Sequence, residues 1–338
     1  MNITDIINPY VYAMKLRRFL YHKSIFKSHS VPVPVISIGN LSMGGTGKTP
    51  ITLALAKYCS ETLGKKTAII LRGYKRESSG YLLVSDGDNI LSPVEKSGDE
   101  AQFYAQELQG AIVICDEDRV RGAQQAVSLG AEVILLDDGF QHIRLKRDLN
   151  ILLINSDEGI PPVFPFGKGR EPASAIKDAD VIIFTNSEKG EKFSFGDKPV
   201  ISARTVIGLI QLYRTYGTDD VSPEIFSGKK LLAFAGIACP QRFKESLVPY
   251  ARSVVLVPLE DHAEYNPATL EKIIATAKKE SCDFIATTTK DAVKMLALYV
   301  AMQQKDSRLP PLTVIHSEIE FMSGKELLFS RINDLLKK

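Results

Sequence analysis

An unbroken apolar run, Val35-Ile36-Ser37-Ile38-Gly39-Asn40, passes almost directly into Ser42-Met43-Gly44-Gly45-Thr46-Gly47-Lys48-Thr49-Pro50. The run reads as a buried strand. Pro50 sits where a helix begins, and residues 51–64 carry helical periodicity. Strand, glycine-rich turn, Gly-Lys-Thr and helix, in that order, describe a phosphate-binding loop. The backbone N–H groups of Gly44, Gly45, Thr46 and Gly47 are expected to converge on phosphate oxygens. Lys48 is placed to reach the β- and γ-phosphates, and Thr49 to hold Mg²⁺ through its hydroxyl. The general formula puts a glycine five places before Gly47, where this chain has Ser42. Loops of the ATPase class that carries an extra lysine have it where this chain has Met43, which tells against that class. The expected nucleotide site is thus Ser42 to Thr49.

Alternating segments follow. Residues 66–74, 110–116 and 131–139 read as strands and 102–108 and 119–130 as helices, with further buried strands at 149–155 and 179–186. That rhythm predicts an α/β fold, a P-loop NTPase-type parallel sheet with helices on both faces. Residues 193–217 break it with extended or hairpin-like sequence, and a second alternating block follows from Lys230. The expected organisation is a basic amphipathic N-terminal region (1–30), a P-loop core (31–200), an extended linker (201–225) and a smaller C-terminal α/β domain (226–338).

Among 338 residues, 44% are hydrophobic and 24% charged, with a net charge of +2, so overall charge gives no sign of nucleic-acid binding. Cys59, Cys115, Cys239 and Cys282 form no CxxC pair, which argues against a disulfide framework or a zinc site. No apolar run reaches the roughly 18 residues of a membrane span, and no signal peptide is expected at the N-terminus. The first thirty residues set Lys15, Arg17, Arg18, Lys23 and Lys27 against Asp5 and interleave Tyr10, Tyr12, Phe19, Tyr21 and Phe26. On a helix, Tyr12, Leu16, Phe19 and Leu20 share a face flanked by Lys15, Arg18 and His22. Such a helix either packs on the domain with its basic side in water or rests on an anionic membrane surface.

The strand 133-VILLDDG-139 ends in two acids, the way a P-loop protein presents carboxylate to Mg²⁺. Adjacent strand residues point to opposite sides, so Asp137 and Asp138 are expected to divide their roles. Ser97-Gly98-Asp99-Glu100 opens a helix with carboxylates that either face the phosphates or simply suit the helix dipole. Gln141-His142, Asp261-His262 and Arg170-Glu171-Pro172 offer further acid, base or clamp candidates.

Eight pieces in this order carry a resemblance: 32-PVPVISIGNLSMGGTGKTP-50, 71-LRGY-74, 98-GDE-100, 118-DRVRG-122, 137-DDGFQH-142, 170-REP-172, Asp261-His262 with Tyr265, and 289-TKDAVK-294. With them the chain resembles the tetraacyldisaccharide 4′-kinase family, the lipid A 4′-kinases of Gram-negative bacteria. The resemblance implies ATP and Mg²⁺, a tetraacylated glucosamine disaccharide 1-phosphate as acceptor, and peripheral work at the cytoplasmic face of the inner membrane. It implies no nucleic-acid and no obligate protein partner. It assigns Lys48 and Thr49 to nucleotide and metal, Asp99 with His262 to proton abstraction, and Asp138 and Glu100 to the neighbourhood of the metal. Asp137 and His142 are expected in support, and Arg119, Arg170 and Glu171 near substrate or phosphates. Lys75 and Thr289 depart from the family pattern, where Gly and Glu are common. A P-loop NTPase that drives a partner protein and a kinase of a soluble metabolite are the rival readings.

Overall fold

The strand that feeds the glycine loop has a parallel neighbour on each side, as its unbroken apolar run predicts. The computed structural model describes residues 7–187, 195–214, 217–261 and 263–337. The chain divides into two units, Met1–Thr205 with Ile319–Lys338, and Val206–Glu318.

In chain order the first unit holds helix α1 (Pro9–His22), strand β1 (Val35–Asn40), helix α2 (Lys48–Lys57), β2 (Thr67–Leu71), β3 (Leu82–Asp86), the single turn α3 (Val94–Ser97), α4 (Asp99–Glu107) and β4 (Ile112–Cys115). It continues with α5 (Arg119–Ser128), β5 (Val133–Asp137), β6 (Leu149–Asn155), β7 (Val181–Thr185) and the start of β8 (Val200–Arg214). Across the sheet the order is β8, β7, β6, β1, β5, β2, β4, β3. Each of these pairings is parallel except β3 with β4. Every residue of β1, β2, β4, β5 and β7 is buried. A strand covered on both faces has no polar side to alternate with, hence the continuous Val, Ile and Leu runs.

Parallel strands need a crossover, and α5 supplies the one from β4 to β5, with β2 lying between them in the sheet. Asp118 caps it, accepting from the N–H groups of Val120 and Arg121 at 3.0 and 3.4 Å. Val120, Ala123 and Ala126, spaced for one helix face, pack on Ile70, Ile112, Ile114, Ile134 and Leu136. In register, Ile38 of β1 lies beside Asp137 of β5, and Asn40 beside Leu153 of β6. The loops that leave β1 and β5 therefore emerge side by side at the carboxyl end of the sheet, where open parallel sheets bind ligands.

Helix α1 is part of this unit. The sequence pattern puts Arg18 on its solvent flank, but the structure turns Arg18 inward. Its guanidinium donates to Glu171 at 2.8 Å and Asp178 at 2.5 Å and lies 5.0 Å from the centre of the Phe140 ring. Two carboxylates and an aromatic face outweigh solvent for this one cation. Tyr12, Leu16 and Phe19 face outward, 54%, 57% and 51% exposed. Among the described residues no helix is long and apolar enough to cross a membrane.

The second unit takes the outer part of β8, to which β9 (Gly217–Val221) pairs antiparallel with Ile210 opposite Val221. It adds β10 (Lys230–Ala235), α6 (Pro240–Leu247), β11 (Ser253–Pro258), α7 (Pro267–Lys279), β12 (Phe284–Thr288), α8 (Thr289–Lys305) and most of β13 (Leu312–Ser323). Its parallel strands run β11, β10, β12, β13. Leu270, Ile273 and Ile274 of α7 and Ala292, Met295 and Tyr299 of α8 pack on Leu232, Phe234 and Ile285.

This division differs from the boundaries expected at 200, 225 and 338. The chain leaves the first unit inside β8 and returns inside β13, so the last helix, α9 (Lys325–Leu336), counts with the first unit. Leu328 and Ile332 are fully buried. Phe329 packs on the Tyr58 ring at 4.0 Å, and the Tyr58 hydroxyl donates to Asn333 at 2.9 Å. The amphipathic pattern of α9 demands a partner face without naming it.

Candidate active site

The glycine loop is held from both flanks. Asn40 Nδ2 donates to Thr46 Oγ1 at 2.7 Å, and Thr185, at the end of β7, donates its hydroxyl to Thr46 O at 2.9 Å. The segment 168–170 runs alongside: Met43 N–H donates to Lys168 O at 2.7 Å, and Arg170 N–H to Leu41 O at 2.6 Å. Ser42 forms an antiparallel bridge with Gly169 and is buried. That bridge explains the missing glycine. Ser42 is paired and does not occupy the left-handed region, whereas Gly44 (φ +120°) and Gly47 (φ +76°) do. Met43, Gly44 and Gly45 stay exposed, and Lys48 opens α2. The N–H groups at that helix start and in the glycine loop suit a phosphate.

The turn after β5 presses against β1. Gly139 N–H donates to Ile38 O at 2.9 Å. A Cβ on Gly139 would lie 2.6 Å from Leu136 Cβ and 2.7 Å from Ser37 Oγ, so no side chain fits. Asp138 takes a φ of +54°, unusual for a residue with a Cβ. Its carboxylate lies between two cations, Lys48 Nζ at 3.5 Å and Arg170 Nη1 at 2.6 Å. Burial pushes its pKa up, but Lys48 and Arg170 outweigh burial and hold it below the ordinary carboxylate value. Asp138 Oδ1 has no hydrogen-bond partner among the described residues.

Asp137 meets the opposite environment. It is buried, accepting from the Tyr104 hydroxyl at 2.9 Å and the Thr52 hydroxyl at 3.5 Å. Burial, then the neighbouring Glu100, pushes its pKa up to about 6, with Lys48 opposing. The two acids thus lie in different environments, and Asp137, expected in support, sits inside the fold. Its carboxylate is covered by α2 and α4, which carry Thr52 and Tyr104.

Helix α4 begins at Asp99, after Gly98 at φ +81°. Asp99 is 6% exposed, and its Oδ1 accepts the Glu100 N–H at 3.0 Å. Arg119, first residue of α5, is buried and donates to Asp116 O. Its Nε has no hydrogen-bond partner among the described residues. Burial lowers the Arg119 pKa against the opposing pull of Asp138 and Asp137. His142 is pushed down to about 4 by burial and then by Arg119, so its imidazole is neutral at pH 7. Lys48, Asp137, Asp138, Glu100, Arg119, His142 and Arg170 are thus electrostatic neighbours. Among the described residues no cluster of three or more His, Cys, Asp or Glu has the spacing of a metal site. A Mg²⁺ here would draw on one carboxylate, the Thr49 hydroxyl, phosphate and water, its usual habit.

The model of the family described as tetraacyldisaccharide-1-P 4′-kinase matches residues 7–337. The chain belongs to this family. A tetraacyldisaccharide 4′-kinase of Desulfotalea psychrophila is 38% identical over 322 residues, covering 92% of each chain. One of Chlorobaculum parvum is 36% identical over 295 residues, covering 83% of this chain and 80% of the relative. A crystal structure of LpxK from Aquifex aeolicus in complex with ATP superimposes with a TM-score of 0.76 at 29% identity, covering 97% of this chain and 96% of that one.

Within this 4′-kinase family member two expected site residues stand apart. His262 lies outside the described residues. Glu171 is fully buried and accepts from Arg18 of α1 at 2.8 Å. It secures α1, and the substrate role expected of it is not supported. Asn40, Thr52, Tyr104 and Thr185 escaped the sequence reading. Only the sheet order brings Thr185 to the loop, and nothing local marks Tyr104 as the partner of Asp137. Lys75, the departure after Arg-Gly-Tyr, sits at φ +57°, a conformation that suits glycine.

Proposed function

We propose that this protein transfers the γ-phosphoryl group of ATP to the 4′-hydroxyl of a tetraacylated glucosamine disaccharide 1-phosphate, a step of lipid A synthesis. The observation that carries this reading is the convergence of Lys48, Arg170 and Asp138 beside the glycine loop, in a chain matched along its length by one kinase family.

The N–H groups of Gly44 to Gly47 and the first turn of α2 receive the nucleotide phosphates. Lys48 stabilises the charge that grows on the transferring group. Thr49 and Asp138 would hold Mg²⁺, with Glu100 nearby; Asp138 Oδ1, approached among the described residues only by Lys48 at 3.5 Å, fits that role. A Mg²⁺ held by these residues would supply charge neutralisation to the nucleotide phosphates. Asp99 takes the proton of the 4′-hydroxyl as its oxygen bonds to the γ-phosphorus and the bond to the β-phosphate oxygen breaks, releasing ADP. Family resemblance assigns His262 to assist Asp99. Arg119 and the neutral His142 face the phosphates or the acceptor sugar.

The acceptor's acyl chains hold it in a bilayer, since each buried CH₂ is worth about 0.8 kcal/mol. The enzyme therefore works at the cytoplasmic face of the inner membrane. The exposed Tyr12, Leu16 and Phe19 of α1, with Lys15 and Lys23, are its docking surface.

Incubation with ATP, Mg²⁺ and the disaccharide 1-phosphate in detergent should yield a bisphosphorylated product. ATP hydrolysis without that product would favour a partner-driving NTPase, and transfer only to soluble sugars would favour a metabolite kinase.

A further inference from the structure

Outside α1, two large apolar side chains stand exposed at one loop tip in Pro161-Pro162-Val163-Phe164-Pro165-Phe166-Gly167: Phe164 at 54% and Phe166 at 50%. The tip is not slack. Phe164 N–H donates to Gly169 O at 2.9 Å, Gly169 N–H to Pro162 O at 2.8 Å and Phe166 N–H to Val163 O at 3.0 Å. Gly167 and Gly169 pack so closely on Pro162 that a Cβ at either would come within 2.8 Å of its carbonyl oxygen. Val163 is buried beneath. A loop fixed this firmly holds two rings in water without giving them a core to fill, and rings so held call for a partner.

The loop is also fastened to α1. Asn8, the buried N-cap of that helix, accepts from Tyr10 N–H at 3.0 Å and donates through Nδ2 to Phe164 O at 2.9 Å. The Tyr10 and Phe164 rings meet edge to face, 6.5 Å apart. One side chain thus ties the helix start to the tip. Cations lie beside them, although Arg18 is buried against Glu171 and Asp178 and adds no exposed charge. Residues 7–30 contain five Lys or Arg and no acid, and Lys168 is exposed at the foot of the loop. A groove of about 360 Å³ beside Phe19 is lined in part by Lys15, His22 and Lys177, with Asp178 as its one acid.

We infer that the Phe164–Phe166 tip is a second membrane contact, entering the interfacial region of an anionic bilayer together with the outer face of α1. The inference rests on the reading of α1 as a docking helix and extends it to a two-point contact. Cations that meet lipid phosphate and aromatic rings that enter the headgroup boundary are the chemistry of such a surface. Two points fix orientation where one helix would leave the molecule free to roll. The foot of the same loop carries Lys168, which accepts from Met43 N–H, and Arg170, which holds Asp138. Docking the tip therefore sets the glycine loop at a defined height above the bilayer that holds the acceptor.

The chain has no tryptophan, so Phe166→Trp and Phe19→Trp are each single-fluorophore reporters in the full-length protein. With vesicles of phosphatidylglycerol and phosphatidylcholine, both should shift to the blue and be quenched by brominated acyl chains. Phe164→Ser/Phe166→Ser should lower vesicle partition about tenfold or more while kcat on detergent-dispersed acceptor and the circular dichroism spectrum stay unchanged. Quenching of Phe19→Trp without quenching of Phe166→Trp overturns this inference and leaves the α1 reading standing. Quenching of neither removes both. A blue shift of Phe166→Trp that grows with protein concentration in the absence of lipid assigns the tip to a second copy of the chain, and also overturns it.

Discussion

Arg170 Nη1 lies 2.6 Å from Asp138 Oδ2, close enough for a charge-assisted hydrogen bond, and Lys48 Nζ lies 3.5 Å from the other oxygen. The pair links the loop after β6 to the turn after β5 and keeps Asp138 ionised in an uncommon backbone conformation. Arg170 orients a carboxylate that we assign to the metal, and loss of such outer partners costs roughly 10- to 100-fold. Arg170→Ala should lower kcat/KM by that order and weaken the response to Mg²⁺. Arg170→Lys should recover only part, because an ammonium lacks the planar fork. Steady-state kinetics across a Mg²⁺ titration check both. Unchanged kinetics in Arg170→Ala would mean that Asp138 needs no second cation.

Asp137 makes the folded state sensitive to pH in the reverse sense to most paired carboxylates. Its folded pKa is raised to about 6 from 3.8. Between these values the folded chain binds more protons than the unfolded one, so stability falls as pH rises through the window. The full cost, ~3 kcal/mol, is present above pH 6 and absent below pH 4. Asp137→Asn still accepts from Tyr104 and carries no charge. Chemical denaturation should find it more stable than wild type at pH 7.5 and nearly equal at pH 4.

His142 acts with the opposite sign. Its pKa falls from 6.5 to about 4 on folding. Between these values the unfolded chain binds the proton and the folded chain does not. Stability therefore falls as pH drops from 6.5 to 4, by ~2–3 kcal/mol in all. His142→Gln should lose less stability than wild type over that interval. Asp137→Asn should lose more, since it removes the group that offsets His142. Melting temperatures at half-unit steps of pH give both slopes.

Much of this site is legible in residues 35–49 and 133–142, because strand, glycine turn and acidic strand end are local patterns with local causes. The apolar β1 and β5 sit mid-sheet as their unbroken runs require, whereas the meeting of Arg170 with Asp138 is visible only in the fold. Legibility fails where a side chain's partner is distant in sequence. Arg170 and Glu171 are neighbours in one motif, yet Arg170 turns to Asp138 and Glu171 to Arg18, 153 residues away. Tyr104 and Asp137 meet only once α4 has docked. Arg18 looks like any flanking cation until Glu171, Asp178 and Phe140 surround it.

Lys75 occupies φ +57°, where an L-residue crowds its Cβ against the backbone at a cost of about 1–2 kcal/mol. Glycine, common here in the family, avoids that crowding but loses more chain entropy on folding, about 0.4–1 kcal/mol. Lys75→Gly should therefore stabilise the protein by about 0.5–1 kcal/mol, and Lys75→Val should destabilise it. Denaturant midpoints measure the difference. A less stable Lys75→Gly would show that the ammonium over the Tyr74 ring, 5.9 Å from its centre, contributes more than the strain costs.

In the second unit, Asp291 joins three strand-end segments. It accepts from the Tyr265 hydroxyl at 2.7 Å, the Thr288 hydroxyl at 2.7 Å and Gly236 N–H at 3.1 Å. Burial pushes its pKa up against these hydrogen bonds. One turn on, Lys294 donates to Ala263 O at 2.8 Å and lies 5.5 Å from the centre of the Tyr265 ring. Helix α8 therefore holds Ala263 by its backbone and Tyr265 by its aromatic side chain. Asp291→Ala leaves buried donors without an acceptor, each worth about 1–3 kcal/mol, and should destabilise the protein by ~2–4 kcal/mol. Asp291→Asn, which keeps an acceptor, should lose far less. Denaturant midpoints of the three proteins check this. An Asp291→Ala protein as stable as wild type would show that these donors need no buried acceptor.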